Sequence, residues 1–179
     1  MTLKKIKIIE VFILFGLAFL FHFAYEAIPN NLFSIIFPVN ESIWEHMKLI
    51  YTPFIFGILI DYLTAKIFKI DMHNIIFSNF YSSIICIMVY LIIYLPINHF
   101  LGHNTFIAIF LHLIIFILGE IISYFLIQKE ENINLKYISI VLIIIGYIIF
   151  GLLTYYTPKT HLFYDTMHKT FGIEKESLK

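Results

Sequence analysis

A short segment between two apolar stretches carries the densest set of reactive side chains in the sequence. Residues 38–48 are PVNESIWEHMK. On a helix, Glu41 and Glu45 share one face with Lys48. His46 points about 100° further round the same helix. Carboxylates, an imidazole and an amine at this spacing are suited to proton transfer or to binding a divalent metal ion.

Two histidine–acid pairs elsewhere have the four-residue spacing that brings side chains together on a helix. His22 and Glu26 lie at the end of the first apolar segment, and His161 and Asp165 lie near the C-terminus. If these stretches meet residues 38–48 at one membrane face, they form a polar pocket. The residues predicted for this pocket are His22, Glu26, Asn40, Glu41, Ser42, Trp44, Glu45, His46, Lys48, His161 and Asp165.

A metal site is one interpretation of this pocket. Catalytic zinc sites use three protein ligands and leave one position open. No H-E-x-x-H or C-x-x-C motif is present, and Cys86 is the single cysteine. Acid–base catalysis without metal stays open, because glutamates held close together raise one another's pKa. The candidate metal ligands are His22, Glu26, Glu45 and His46, with His161 and Asp165 as further donors.

Part of the 38–48 segment also has a plain structural interpretation. Ser42 followed by Glu45 is the capping-box pattern that begins a helix. Trp44 is typical of an anchor at the membrane interface. Helix capping accounts for Ser42 and one carboxylate, but it does not account for Asn40 and His46 as well.

The composition of the chain predicts an integral membrane protein that is all α-helical. Of its 179 residues, 60% are hydrophobic and only 13% are charged, whereas soluble domains carry about a quarter charged residues. The net charge of zero gives no basis for nucleic-acid binding, so the expected partner is the lipid bilayer, with a small molecule or an ion as possible ligand.

Five apolar segments of about 20 residues are each long enough to cross a bilayer. Residues 31–39 are apolar but too short to span, so they are expected to be re-entrant or interfacial. We expect one membrane domain over residues 1–179, with a tail at 157–179 that forms a surface helix or a lid and is disordered over 174–179. The predicted spans are residues 8–28, 49–68, 75–95, 106–127 and 137–156.

The lysines predict how the chain is oriented in the cell membrane. Seven of the twelve lie before the first span, at the end of the second span, or in the second and fourth connections, and lysine-rich short segments face the cytoplasm. The N-terminus is therefore expected in the cytoplasm and the C-terminus outside. Four lysines of the tail oppose this scheme, but the first span and the short loops usually dominate.

Asp61, His112 and Glu120 are ionisable residues inside predicted spans, where such groups are costly and usually functional. They lie at different depths, as a proton or cation relay requires. The alternative is that the two acids pair with lysine or tyrosine and only fix the helix packing. The absence of an internal repeat makes the chain an unusual transporter scaffold.

The string NESIWEHMK at residues 40–48, together with the tail pattern around LFYD at 162–165, resembles a family of small prokaryotic multi-pass membrane proteins of unknown function. The resemblance covers most of the chain and carries the motif N-E-S-x-W-E-H-x-K. It implies a helical membrane protein and names no reaction or cofactor.

The sequence therefore predicts a membrane protein with a polar pocket near its extracytoplasmic face. Transport of a small solute or an ion is the first functional hypothesis. A membrane-embedded hydrolase that depends on metal is the second, and a non-catalytic assembly or sensor protein is the third. A continuous polar path would favour transport, whereas carboxylates and histidines around one point would favour metal chemistry.

Overall fold

The computed structural model describes residues 1–102 and 104–173. These residues form seven α-helices, a short 3-10 turn and one small hairpin. His103 lies outside the described part of the chain. So do residues 174–179, for which the sequence predicts disorder. The elements are α1 (Leu3–His22), α2 (Ala24–Ala27), α3 (Asn31–Ile36), α4 (Ile43–Phe68), α5 (Ile75–Leu101), α6 (Thr105–Leu126), α7 (Ile133–Tyr155), η1 (His161–Phe163), β1 (Tyr164–Asp165) and β2 (Thr170–Phe171).

Four long helices form the centre of the fold. α4 packs on α1 and α5, and α6 packs on α5 and α1, so the four close into a ring. α7 lies outside this ring against α5 and the short α3. Successive long helices run in opposite directions, because the connections between α4, α5, α6 and α7 are short. The bundle therefore has two ends, and each end holds a different set of polar residues.

We call these the site end and the far end. The site end holds His22, residues 37–42 and the tail from residue 156. The far end holds Lys7 and residues 127–132. At the far end, Asn74 donates to the backbone oxygens of Lys129 and Glu130, at 3.0 and 2.8 Å, and so ties two connections together.

Apolar side chains cover the outside of the bundle as well as its centre. Leu14, Ile50 and Phe116 are fully buried, while Ile92, Ile144 and Leu152 are more than half exposed. Exposed apolar surface all round a helical bundle is typical of a protein that lies in lipid. Among the described residues, the helices long and apolar enough to cross a membrane are α4, α5, α6 and α7.

The helices extend beyond the apolar segments of the sequence. α4 begins at Ile43, where the Ser42 hydroxyl accepts a hydrogen bond from the Glu45 backbone N–H at 3.3 Å. Pro53 and Pro96, which the sequence places near segment ends, lie inside α4 and α5. A proline inside a bundle is tolerated because neighbouring helices can satisfy the freed backbone group. Both helices therefore run past the apolar segments from which they were predicted.

The connection between α1 and α4 contains two short helices, whereas the sequence predicts one re-entrant or interfacial segment at residues 31–39. α1 ends at His22, and the short helices α2 and α3 follow. Asn30 begins α3, because its side-chain oxygen accepts from the backbone N–H groups of Leu32 and Phe33. The Ser34 hydroxyl lies 2.8 Å from the Tyr155 hydroxyl, which holds α3 against α7.

Candidate metal site

Two histidines and one glutamate converge at the site end. His22 Nε2 lies 3.4 Å from Glu41 Oε1, and His46 Nε2 lies 3.5 Å from Glu41 Oε2. One ligand atom from each of the three residues lies within 4.8 Å of the other two. We call this group the triad. The end of α1, the loop before α4 and the first turn of α4 each supply one member.

The spacing of the triad fits a tetrahedral metal ion. Donor atoms about 2.0–2.1 Å from zinc lie roughly 3.4 Å from each other. His46 Nδ1 donates to the backbone oxygen of Ser42 at 2.9 Å, so a neutral His46 has its lone pair on Nε2, facing Glu41. A lone pair and a carboxylate oxygen repel unless a proton or a cation lies between them. A hydrogen bond from Nδ1 to a carbonyl is the usual support of a metal-binding histidine.

Glu41 is held as a carboxylate by its surroundings. The hydrogen bond with His22 is the main cause that lowers the pKa of Glu41, and the nearby His46 lowers it further, against the effect of burial. The Glu41 backbone N–H donates to Asp165 Oδ2 at 3.1 Å, which fixes the loop. An ionised, fixed carboxylate between two imidazoles is a suitable ligand for a divalent cation.

Two cavities meet at the triad. One has a volume of about 270 Å³ and lies between α1 and α6. The other, of about 430 Å³, lies between α2, the loop before α4 and the tail. His22 and Glu41 line both cavities. His112 lines only the first, where its Nδ1 donates to the backbone oxygen of Ala108 at 2.8 Å.

The tail folds back over the loop that carries Glu41. Residues 156–173 form η1 and the β1–β2 hairpin rather than an amphipathic helix. Asn40 Nδ2 donates to the backbone oxygen of Gly172 at 2.9 Å. Buried Asp165 accepts from the backbone N–H groups of Glu41, Met167 and His168. The tail is therefore part of the wall of the site.

We expect acid to release this tail. Burial alone would raise the pKa of Asp165, but hydrogen bonds from His168, Glu41 and Met167 lower it below 3.8. A lowered pKa contributes stability above about pH 4 that is lost as the pH falls through the folded value. Hydrogen exchange, corrected for intrinsic rates, should show the Glu41 and Met167 amides less protected at about pH 2.5 than at pH 5.

Asp165→Asn is the matched control for this acid release, because it cannot ionise. Its tail amides should be poorly protected at both pH values. Equal protection of the wild-type amides at both pH values would show that Asp165 does not hold the tail. Amides in the middle of α5 should stay protected throughout, which separates release of the tail from unfolding.

Glu45 and Lys48 lie in a different buried group. Lys48 Nζ lies 2.6 Å from Glu45 Oε2 and donates to the Ser34 backbone oxygen at 2.7 Å and to Thr154 Oγ1 at 2.9 Å. Glu45 also accepts from Thr154 and from the Val39 backbone N–H. These bonds join α3, α4 and α7, so we interpret the pair as holding the site end together.

The other residues of the predicted pocket surround the triad without joining it. Trp44 packs its ring 5.0 Å from that of Phe163 and so anchors the tail. Ser42 caps α4. Glu26 is exposed and lines the second cavity, and His161 is exposed in η1 and lines neither cavity.

A second charged group lies buried near the far end. Lys7 Nζ is 2.7 Å from Asp61 Oδ1, 2.8 Å from Glu10 Oε2 and 3.2 Å from Glu120 Oε2. Asn79 Nδ2 donates to Asp61 Oδ2 at 2.7 Å. We call these five residues the far-end cluster. The sequence analysis singled out Asp61 and Glu120 but missed Lys7 and Glu10, although their three-residue spacing in α1 was visible.

An apolar layer separates the triad from the far-end cluster. Leu14 lies midway between Lys7 and His22 on α1, and Phe54 and Phe116 hold corresponding positions on α4 and α6. These three side chains are 0% exposed. The 15 residues from Lys7 to His22 correspond to roughly 22 Å along the helix. His112 therefore lies on the side of the triad, whereas Asp61 and Glu120 belong to the far-end cluster. A relay through these three residues stays a prediction.

The fold and its apolar surface are those of a multi-pass helical membrane protein. The chain belongs to a family of unknown function, DUF6512, whose model matches residues 1–173. No curated protein and no solved structure matches the chain.

Proposed function

We propose that this protein is a membrane-embedded hydrolase that depends on a divalent metal ion. The observation that carries the proposal is the triad, in which His22, Glu41 and His46 offer ligand atoms within 4.8 Å of one another. Two histidines with one glutamate are a ligand set that hydrolytic zinc enzymes use. Three protein ligands leave a fourth position for water.

The surroundings of the triad suit hydrolysis. An ion held by His22, Glu41 and His46 would supply an activated water as the nucleophile for an ester or phosphoester group. The bond to the leaving alcohol would break, and that oxygen would take up a proton. His112, on the wall of the same cavity, is the candidate that accepts and returns the proton.

We propose five spans, with α1 as the first and the site end outside the cytoplasm. α1 is 20 residues long and therefore reaches about 30 Å. The lysines and the glutamate of α1 lie near the far end. Lys7 and Glu10 are buried there with partners, so their charges do not face lipid. Exposed Lys4 and Lys5 at its start favour a cytoplasmic N-terminus.

Transport of protons or ions is the second candidate. The far-end cluster favours it, because buried ionisable groups in membrane bundles are typical of ion pathways. The buried apolar side chains of Leu14, Phe54 and Phe116, which lie between the two polar groups, argue against it. An assembly or sensor role would not need the converging ligands, so we rank hydrolysis first.

Metal analysis of the purified full-length protein tests the proposal. We expect about one zinc ion per chain after exposure to zinc and removal of the excess. Hydrolysis of a mixture of phospholipids, followed by mass spectrometry, should stop when a chelator removes the ion and should return when zinc is restored. A wild-type protein that binds no divalent ion would remove the metal site and the hydrolase with it, whereas bound zinc without chelator-sensitive hydrolysis would exclude phospholipids as substrates.

A further inference from the structure

The first cavity is a cleft between the site ends of α1 and α6. Its inner wall is formed by Ala18, Leu49 and Ala108, which are 6%, 4% and 5% exposed. Its rim includes Phe19 and Phe23, which are 43% and 57% exposed. The rim belongs to the apolar surface that faces lipid, so the cleft opens into the hydrocarbon region rather than into water alone.

The second cavity has a different chemical character. Its lining includes Asn40, Asp165, His168 and Thr170 from the loop and the tail, and exposed Glu26 from α2. It lies beyond the end of α1, on the side of the tail. A more polar cavity and an apolar cleft therefore both reach the triad.

The two cavities share two residues of the triad, His22 and Glu41. A molecule that fills both cavities must have an apolar part and a polar part, with the junction between them at the triad. Phe15 and Phe23, at the two ends of the cleft on α1, are eight residues apart, or about 12 Å along the helix. This length suits part of an acyl chain.

We propose that the substrate is a glycerophospholipid, with one acyl chain in the α1/α6 cleft and its headgroup in the polar cavity. This inference rests on the proposed hydrolase function. The lipid enters sideways from the bilayer, so its chain never passes through water. The ester or phosphodiester group reaches the metal ion, and Glu26 attracts an amine on the headgroup.

Photo-crosslinking in nanodiscs tests this assignment. The probe is phosphatidylethanolamine with a diazirine in its acyl chain, added to the full-length protein loaded with zinc. Lipids around the protein can label only exposed positions, such as Ile144 and Ile148 on α7, which are 56% and 54% exposed. A chain inside the cleft also labels buried Ala18 and Leu49. Labels confined to exposed positions would overturn the proposal.

Ala108→Trp should fill the cleft and remove at least nine-tenths of the labels at Ala18 and Leu49. Ile144→Trp, on the exposed face of α7, should leave them unchanged. Ala18→Phe provides a second variant that fills the cleft, should the first fail to fold. Zinc content is measured in each sample. If zinc binds but the cleft is unlabelled, the lipid substrate is contradicted and the hydrolase is not. If the cleft is labelled but no zinc binds, the hydrolase is contradicted, and the lipid cannot be its substrate.

Discussion

Glu41→Gln should weaken zinc binding by more than about 100-fold, which exceeds the effect of removing most outer-shell partners of a metal ligand. Glu41 supplies the negative charge of the triad and lies between His22 and His46, at 3.4 and 3.5 Å. Glutamine keeps the shape but offers a neutral amide, which is a poor ligand for zinc. Competition with a chelator of known affinity measures the change.

Glu26→Gln is the control for this prediction. Glu26 is exposed and lies on the wall of the second cavity, close to the triad in space, but its carboxylate is outside the three-residue ligand group. Its zinc affinity should stay within a few-fold of wild type. Equal losses in the Glu26 and Glu41 variants would mean that general negative charge, rather than a defined site, attracts the ion.

Lys7→Met should be among the most destabilising single substitutions in the chain, at about 3–5 kcal/mol. Lys7 Nζ lies within 3.2 Å of three carboxylates, and the side chains of all four residues are at most 4% exposed. One positive charge faces three acidic side chains. Removing the lysine leaves these acids buried without their cation. Unfolding in mixed micelles measures the loss.

Lys5→Met provides the comparison, because Lys5 is exposed on the same helix, and its cost should be under about 1 kcal/mol. The double variant Lys7→Met with Asp61→Asn should recover part of the stability, since the amide no longer buries a charge. If Lys7→Met cost no more than Lys5→Met, the far-end cluster would not hold the bundle together.

Several structural features could be predicted from local patterns in the sequence. Long apolar runs predicted helices, because only a helix satisfies its own backbone groups in lipid. The Ser42 and Glu45 spacing correctly predicted a helix start, although Glu45 then bonds to Lys48 rather than back to the cap. Local patterns were less informative about helix ends, and Pro53 and Pro96 lie within helices.

The partners within the site could not be predicted in the same way. Sequence spacing paired His22 with Glu26 and placed Glu41, Glu45 and Lys48 on one helix face. In the structure, His22 approaches Glu41, and Glu45 bonds to Lys48 and Thr154 but not to Glu41. The break after His22 redirects the chain, so the four-residue rule no longer applies across it. Lys7 was assigned to the cytoplasmic flank, but its acidic partners draw it into the bundle.

The sequence by itself determined that the chain is helical, that its surface suits lipid and that polar residues concentrate in the segment around Trp44. These properties depend on composition and on residues within one turn of each other. Only the tertiary structure decided which polar residues meet. Contacts such as those of Lys7 with Asp61 and of Glu41 with Asp165 join residues far apart in the chain. They form because buried charges and polar groups must find partners wherever the packing of the helices brings them together.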